Sequence, residues 1–189
     1  MKEDNSQDYW DKKHIFFKND TLYVLGEFNQ DISNNIIPEM QDFLIDLDNL
    51  KNPKFEIVIN SPGGYTNELY SLLSYLDLMK KKNIKIITRV IGDAHSCASI
   101  LACYGDERYM SKYSNHLLHY GNFPVSNFKT PQDVDRLAEI TKKDMEKTIE
   151  IYSQHSRLKK DQLRKFLAND NLYLDAKTCL DYGLCDFII

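Results

Sequence analysis

The sequence predicts a layered α/β domain, and three observations carry that prediction. Short β-branched runs at Phe55–Asn60 and Ile84–Ile91 alternate with longer segments whose apolar residues recur every three or four positions. The first run closes on the turn formers Pro62, Gly63 and Gly64, and small residues from Gly92 onward follow the second. No Gly/Ser/Pro-rich stretch divides the 189 residues, so 1–189 reads as a single domain with one sizeable core.

Each element has its own justification. Residues 1–14 lack periodicity and contain Asp4, Asn5, Ser6 and Gln7, which suits a mobile N-terminal arm. Thr21–Leu25 reads as a strand ending at Gly26, and Ile32–Leu47 carries Ile36, Ile37, Met40, Phe43, Leu44 and Leu47 at helical spacing. Asn67 is expected to cap a second helix whose apolar face is Leu69, Leu72, Leu73, Leu76 and Met79. Ser96–Cys103 is small and apolar enough to be a buried helix, and Glu107–Met110 and Asn115–Tyr120 read as strands. Pro131–His155 is the longest periodic segment. Val134, Leu137, Thr141, Met145, Thr148 and Tyr152 form one stripe, whereas Ile140, Ile149 and Ile151 lie off it, so the helix is expected to bury more than one side and to meet a neighbouring subunit. Asp175 caps a helix through Leu180, Gly183 stops it, and Leu184–Ile189 closes the chain as a strand.

Composition excludes several classes. The net charge of −4, with acids and bases interspersed, leaves no basic stripe to neutralise phosphates, so no nucleic-acid partner is expected. No apolar run approaches the ~20 residues of a membrane span. The polar, acidic N-terminus lacks the basic-then-apolar pattern of a leader, so a cytoplasmic protein without a membrane partner is expected. Cys97, Cys103, Cys179 and Cys185 form no CxxC pair and read as reduced, mostly buried thiols. His116 and His119 have an HxxH spacing, but on a strand that odd separation sends them to opposite faces and no third ligand is evident, so no metal is expected.

The residues that carry chemistry sit at the breaks between elements. GDAHSCAS, residues 92–99, sets Ser96 among small residues after a β-branched run; His119 ends the run LLH; and INSPGG, residues 59–64, ends a third run in a turn with bare backbone amides. A serine hydroxyl is inert at neutral pH until a base takes its proton, and the tetrahedral oxyanion then needs N–H donors. Ser96 as nucleophile, His119 as base and the amides of Gly64 and Cys97 as donors make the minimum set for acyl transfer. Singly, each has a plainer reading: a packed hydroxyl, a tight turn, a structural His95 pointing elsewhere, and a Cys97 side chain directed away from Ser96.

Together, INSPGG, the GxAxSxAS run, LLH, the long helix and the closing DAKTCLDYGLCDFI resemble the ClpP family of Clp protease proteolytic subunits over roughly Thr21–Ile189. The resemblance implies the ClpP/crotonase fold of repeated strand-strand-helix units, with Pro131–His155 as the protruding helix that makes ring–ring contact. It implies a serine endopeptidase with no cofactor, acting on unfolded polypeptides inside a homo-oligomeric chamber of two stacked heptameric rings. It also implies an AAA+ ATPase partner, and this chain has no GxxxxGK[ST] loop with which to hydrolyse ATP itself.

Residue by residue, the resemblance assigns the nucleophile to Ser96, the base to His119 and the oxyanion amides to Gly64 and Cys97. The family's catalytic aspartate precedes an aromatic residue by two positions and a Ser/Thr-Ala pair by four; Tyr173 and Asp175-Ala176 therefore put Asn171 in its place. An asparagine accepts a hydrogen bond from the histidine but brings no charge to stabilise the imidazolium. In trypsin the corresponding Asp to Asn change lowers turnover about 10⁴-fold. Other departures are His95 in place of a small residue, Tyr120 in place of glutamine, and Pro124, which has no N–H to donate, in the stretch expected to pair with substrate.

Three outcomes stay open: an enzyme slowed by Asn171, one that recruits Asp170 after a local shift, or a weak or inactive ring subunit that assembles with an active relative. A crotonase-like thioester enzyme, which would bind coenzyme A and not need Ser96, shares the fold.

Overall fold

The computed structural model describes residues 14–18, 21–47, 52–120, 130–167 and 171–189. The arm expected over 1–14 lies outside these residues except for His14, as do Pro124 and Asp170. In chain order the elements are β1 (Ile15–Lys18), β2 (Thr21–Val24), a π-helical turn (Ile32–Ile36) leading into α1 (Ile37–Leu47), β3 (Lys54–Ser61), α2 (Thr66–Lys81), β4 (Lys85–His95) and α3 (Cys97–Cys103). They continue with β5 (Glu107–Met110), β6 (Asn115–Leu118), α4 (Pro131–His155), α5 (Lys160–Leu167), β7 (Leu172–Asp175), α6 (Ala176–Tyr182) and β8 (Phe187–Ile188).

The sheet runs β1-β2-β3-β4-β5-β8, with β2 through β5 mutually parallel and β1 closing an antiparallel hairpin on β2. Parallel strands need crossover connections, and α2 supplies the one between β3 and β4. Its Leu69, Leu72, Leu73, Leu76 and Met79 are all buried, as the spacing predicts, against Phe55, Ile57, Ile59, Ile86 and Val90 in one core. The decisive feature is that β4 forks. Its residues 87–90 pair with β5, whereas Asp93, Ala94 and His95 pair in parallel with Asn115, His116 and Leu117 of β6, which in turn carries antiparallel β7. The strand therefore outruns the apolar segment that ends at Ile91. A register shift between Ile59 and Ser61 accommodates the extra length on β4, and the Asn60 side-chain oxygen takes the Asp93 N–H at 3.0 Å.

Local departures from the sequence reading have local causes. The segment Ile32–Leu47 opens as a π turn, with the Ile37 N–H bonded to the Ile32 carbonyl, because Pro38 has no N–H for the carbonyl of Asn34 and its ring would press on it. Asn67 does not cap α2: Tyr65 holds that position, and Asn67 donates instead to buried Glu68 at 2.9 Å. The strand expected over Leu184–Ile189 pairs only at Phe187–Ile188. By contrast α4 spans the predicted residues, opened by a Thr130/Asp133 capping box with Pro131 just inside it. Only Ile149 and Tyr152 of this helix are buried, while Val134 is 51% and Ile140 46% exposed, so its first half stands off the domain. The four cysteines are free and buried.

Candidate active site

Ser96 occupies the single residue between β4 and α3, with φ 54° and ψ −120°. A non-glycine residue in this region costs roughly 1–3 kcal/mol and persists only where its surroundings over-determine it. Here the Ser96 N–H donates to the Leu117 carbonyl at 2.8 Å, and every residue of α3 is buried, so strand and helix are both immobilised. A sharp, strained strand-to-helix turn is how a nucleophilic hydroxyl is presented clear of its own backbone.

The Pro-Gly-Gly turn packs directly on this serine. Gly63 and Gly64 take φ 99° and 141°, and a Cβ on Gly63 would lie 2.7 Å from Ser96 Cβ, 2.8 Å from the His95 carbonyl oxygen and 3.2 Å from the Cys97 nitrogen. Phe28 holds the turn from the other side: its N–H donates to Gly63 O at 2.7 Å and its carbonyl accepts from Tyr65 N at 2.9 Å. Ser61 anchors it from below, donating to Gly26 O at 2.6 Å and accepting from Gly63 N at 3.2 Å. Sequence reasoning did not single out Ser61, although its place inside the INSPGG turn was the available signal.

Two N–H groups come together at this wall. Cys97 is the first residue of α3, so its N–H has no partner within the helix, and no backbone carbonyl of the described residues accepts from the Gly64 N–H. The Cys97 side chain departs from expectation. It does not turn away from the site; its Sγ donates to the Gly64 carbonyl at 3.2 Å and ties the turn to the nucleophile helix. Burial pushes this thiol up to about 11, while the neighbouring Ser96 side chain and the backbone at Gly64 pull weakly the other way, so it is a neutral donor rather than a competing nucleophile.

His119 reaches the site through the fork of β4. The pair His95↔Leu117 brings the end of β6 beside Ser96, and on the other flank β7 pairs Leu118 with Leu172. One residue further along each of those two strands stand His119 and Asn171, so register alone sets Asn171 opposite the histidine. Among the described residues no hydrogen bond joins Ser96 to His119 or His119 to Asn171; such bonds are often long in unliganded sites and tighten around substrate. His119 is half-buried and Asn171 is exposed.

Burial lowers the pKa of His119, the charge of His95 lowers it further, and a backbone hydrogen bond at Tyr120 opposes both. His95 therefore does not point elsewhere. Its ring meets Tyr173 edge-on with centroids 6.0 Å apart, and its Nε2 lies 3.7 Å from Asp93 Oδ1, on the same flank as the candidate base. His116 and His119 do part company, since His116 is wholly buried. Among the described residues no group of three or more His, Cys, Asp and Glu is arranged to hold a metal ion, and no helix is long and apolar enough to cross a membrane.

A mixed sheet that branches at β4, with a long helix standing off it, defines an α/β protein of the ClpP type. The family profile described as Clp protease matches residues 3–189, and the chain belongs to that family. It is similar to the ATP-dependent Clp protease proteolytic subunit 2 of Bacillus licheniformis, with 29% identity over 174 residues, covering 90% of this chain and 86% of the relative. The chain is thus a ClpP-like protease subunit.

Proposed function

We propose that this chain is a serine endopeptidase that cleaves unfolded polypeptides, with Ser96 as nucleophile, His119 as general base, and the N–H groups of Gly64 and Cys97 as the oxyanion hole. The observation that carries this reading is the left-handed turn at Ser96, wedged between the Gly63-Gly64 turn and the end of β6. The Ser96 oxygen attacks the peptide carbonyl as a ring nitrogen of His119 takes its proton. The oxyanion accepts from the two amides, and the same proton passes to the departing amine, leaving an acyl-enzyme. Water, deprotonated by His119, then releases the acid and restores the serine. Asn171 accepts from the far ring nitrogen and sets the tautomer without adding charge.

Membership of the family supports a wider assembly. In this reading two heptameric rings of the chain stack through α4, the exposed first half of which supplies the contact, and an AAA+ ATPase delivers substrate in the cytoplasm. Incubation of the purified protein with a serine-directed fluorophosphonate, alongside a peptide-hydrolysis assay, tests the chemistry. Covalent labelling that disappears with Ser96→Ala supports it. An unlabelled, inert wild-type protein refutes it.

A second reading, a weak or inactive ring subunit that assembles with an active relative, draws on one feature: Asn171 is both neutral and exposed, so the base has poor support. It predicts no labelling of this chain alone and altered activity when it is mixed with an active relative.

A further inference from the structure

Beneath the site lies a buried polar contact that the proposed chemistry does not use. Ser99, on α3, and His116, on β6, are both 0% exposed, and Ser99 Oγ lies 2.9 Å from His116 Nδ1. Ser99 follows Ser96 by one helical turn, and His116 precedes His119 by three residues. The contact therefore joins the element that carries the nucleophile to the one that carries the base. From α4, buried Tyr152 has the Ser99 side chain as its hydrogen-bonding neighbour.

This arrangement is costly to maintain. His116 Nε2 is buried with no partner among the described residues. Burial, reinforced by the charges of His95 and Arg108, holds the ring down to about 3, so it is a neutral imidazole with one donor and one acceptor. Whichever tautomer it adopts, one nitrogen goes unpaired, at about 1–3 kcal/mol. An aliphatic residue at 116 facing alanine at 99 would avoid that cost. Polar groups kept in a core against stability are expected where geometry has to be specified. Backbone pairing holds β6 on both flanks only as far as Leu118, and His119 lies one residue beyond it.

We propose that Ser99 and His116 are a positioning pair: their buried hydrogen bond locks β6 to α3 and so sets His119 at working distance from Ser96. The proposal rests on the reading of those two residues as base and nucleophile. Displacing a base by about 1 Å costs up to about 10²-fold in rate, which sets the scale of the expected effect.

The test compares Ser99→Ala, His116→Val, the double variant, and His116→Asn, which retains a group able to pair with Ser99. Readouts are kcat and KM on a peptide, the rate of fluorophosphonate labelling, and the thermal midpoint. Each single variant is expected to lose about 10- to 100-fold in kcat with KM within about twofold. The double variant should be no slower than either single, because the pair acts as a unit, and should melt no lower than Ser99→Ala, which already leaves buried Tyr152 without its partner. His116→Asn should recover most of the lost kcat. A double variant with raised stability and wild-type kcat would reduce the pair to packing and overturn the proposal, as would singles that melt earlier but turn over normally.

If the wild-type protein neither labels nor hydrolyses peptide, the serine-protease reading fails by itself. The positioning claim is then decided by the ¹H–¹⁵N resonances of the His119 ring in wild type and in the double variant: a shift upholds it and an unchanged spectrum overturns it.

Discussion

The two halves of the candidate site are built to different standards. On the nucleophile side, Ser96 is held in a left-handed conformation between a wholly buried helix and a glycine turn with no room for a methyl group, and Ser61, Phe28 and Cys97 pin that turn from three directions. On the base side, His119 lies beyond the last paired residue of a short strand, half-buried, opposite a neutral and exposed asparagine. The difference teaches that the first half tolerates almost no change, whereas the second has room to gain.

Substitutions sharpen or break this contrast in order of size. Ser96→Ala should lower kcat by about 10⁴- to 10⁶-fold with the fold intact, measured by peptide hydrolysis and circular dichroism. Residual turnover close to wild type would move the nucleophile elsewhere. Gly63→Ala inserts a Cβ against Ser96 at a positive φ and should cost about 1–3 kcal/mol of stability. With the nucleophile displaced, kcat should fall about 10²-fold. A variant that behaves like wild type in both assays would mean that the turn is far softer than its packing implies.

Asn171→Asp works in the opposite sense. A carboxylate opposite His119 would stabilise the imidazolium formed during attack, so kcat should rise about tenfold or more. The same charge raises the pKa of His119, so the acidic limb of the kcat/KM profile should move to higher pH. A fall in activity would show that the base side is already matched to an uncharged partner.

His95→Gln should have the smallest effect. In the wild type, burial and the charge of His95 lower His119 from its ordinary 6.5, so the base stays unprotonated and the acidic limb lies below that value. Removing the His95 charge leaves burial in place and should move the limb upward by less than about one unit, read from a pH–rate profile. A limb that does not move would show that burial alone sets the base.

Much of this was legible locally. The cap at Asp175, whose carboxylate accepts from Thr178 N at 2.8 Å, and the stop at left-handed Gly183 are one-turn events written in neighbouring residues. The span of α4 followed from periodicity over 25 residues, long enough for the pattern to be unambiguous. Strand β7 buries only Leu174 of its four residues, and α5, with eight, shows only Leu163 and Leu167 as buried, so neither carries a repeating pattern. Asn67 is not the cap because the helix already begins at Thr66, and its side-chain amide instead donates to Glu68, which Ser33 engages across 35 residues.

The sequence by itself determined the α-helices other than α5, the serine at a strand end, the glycine turn and the position of Asn171, since periodicity, turn chemistry and motif spacing act over a few residues. Only the tertiary structure decided that β4 continues past Ile91, that β6 rather than β5 flanks its last residues, that Asn171 falls opposite His119, that Cys97 ties the glycine turn to α3, and that Ser99 meets His116. Strand pairing and buried hydrogen bonds depend on which distant partner is available, and that is settled by the packing of the whole sheet.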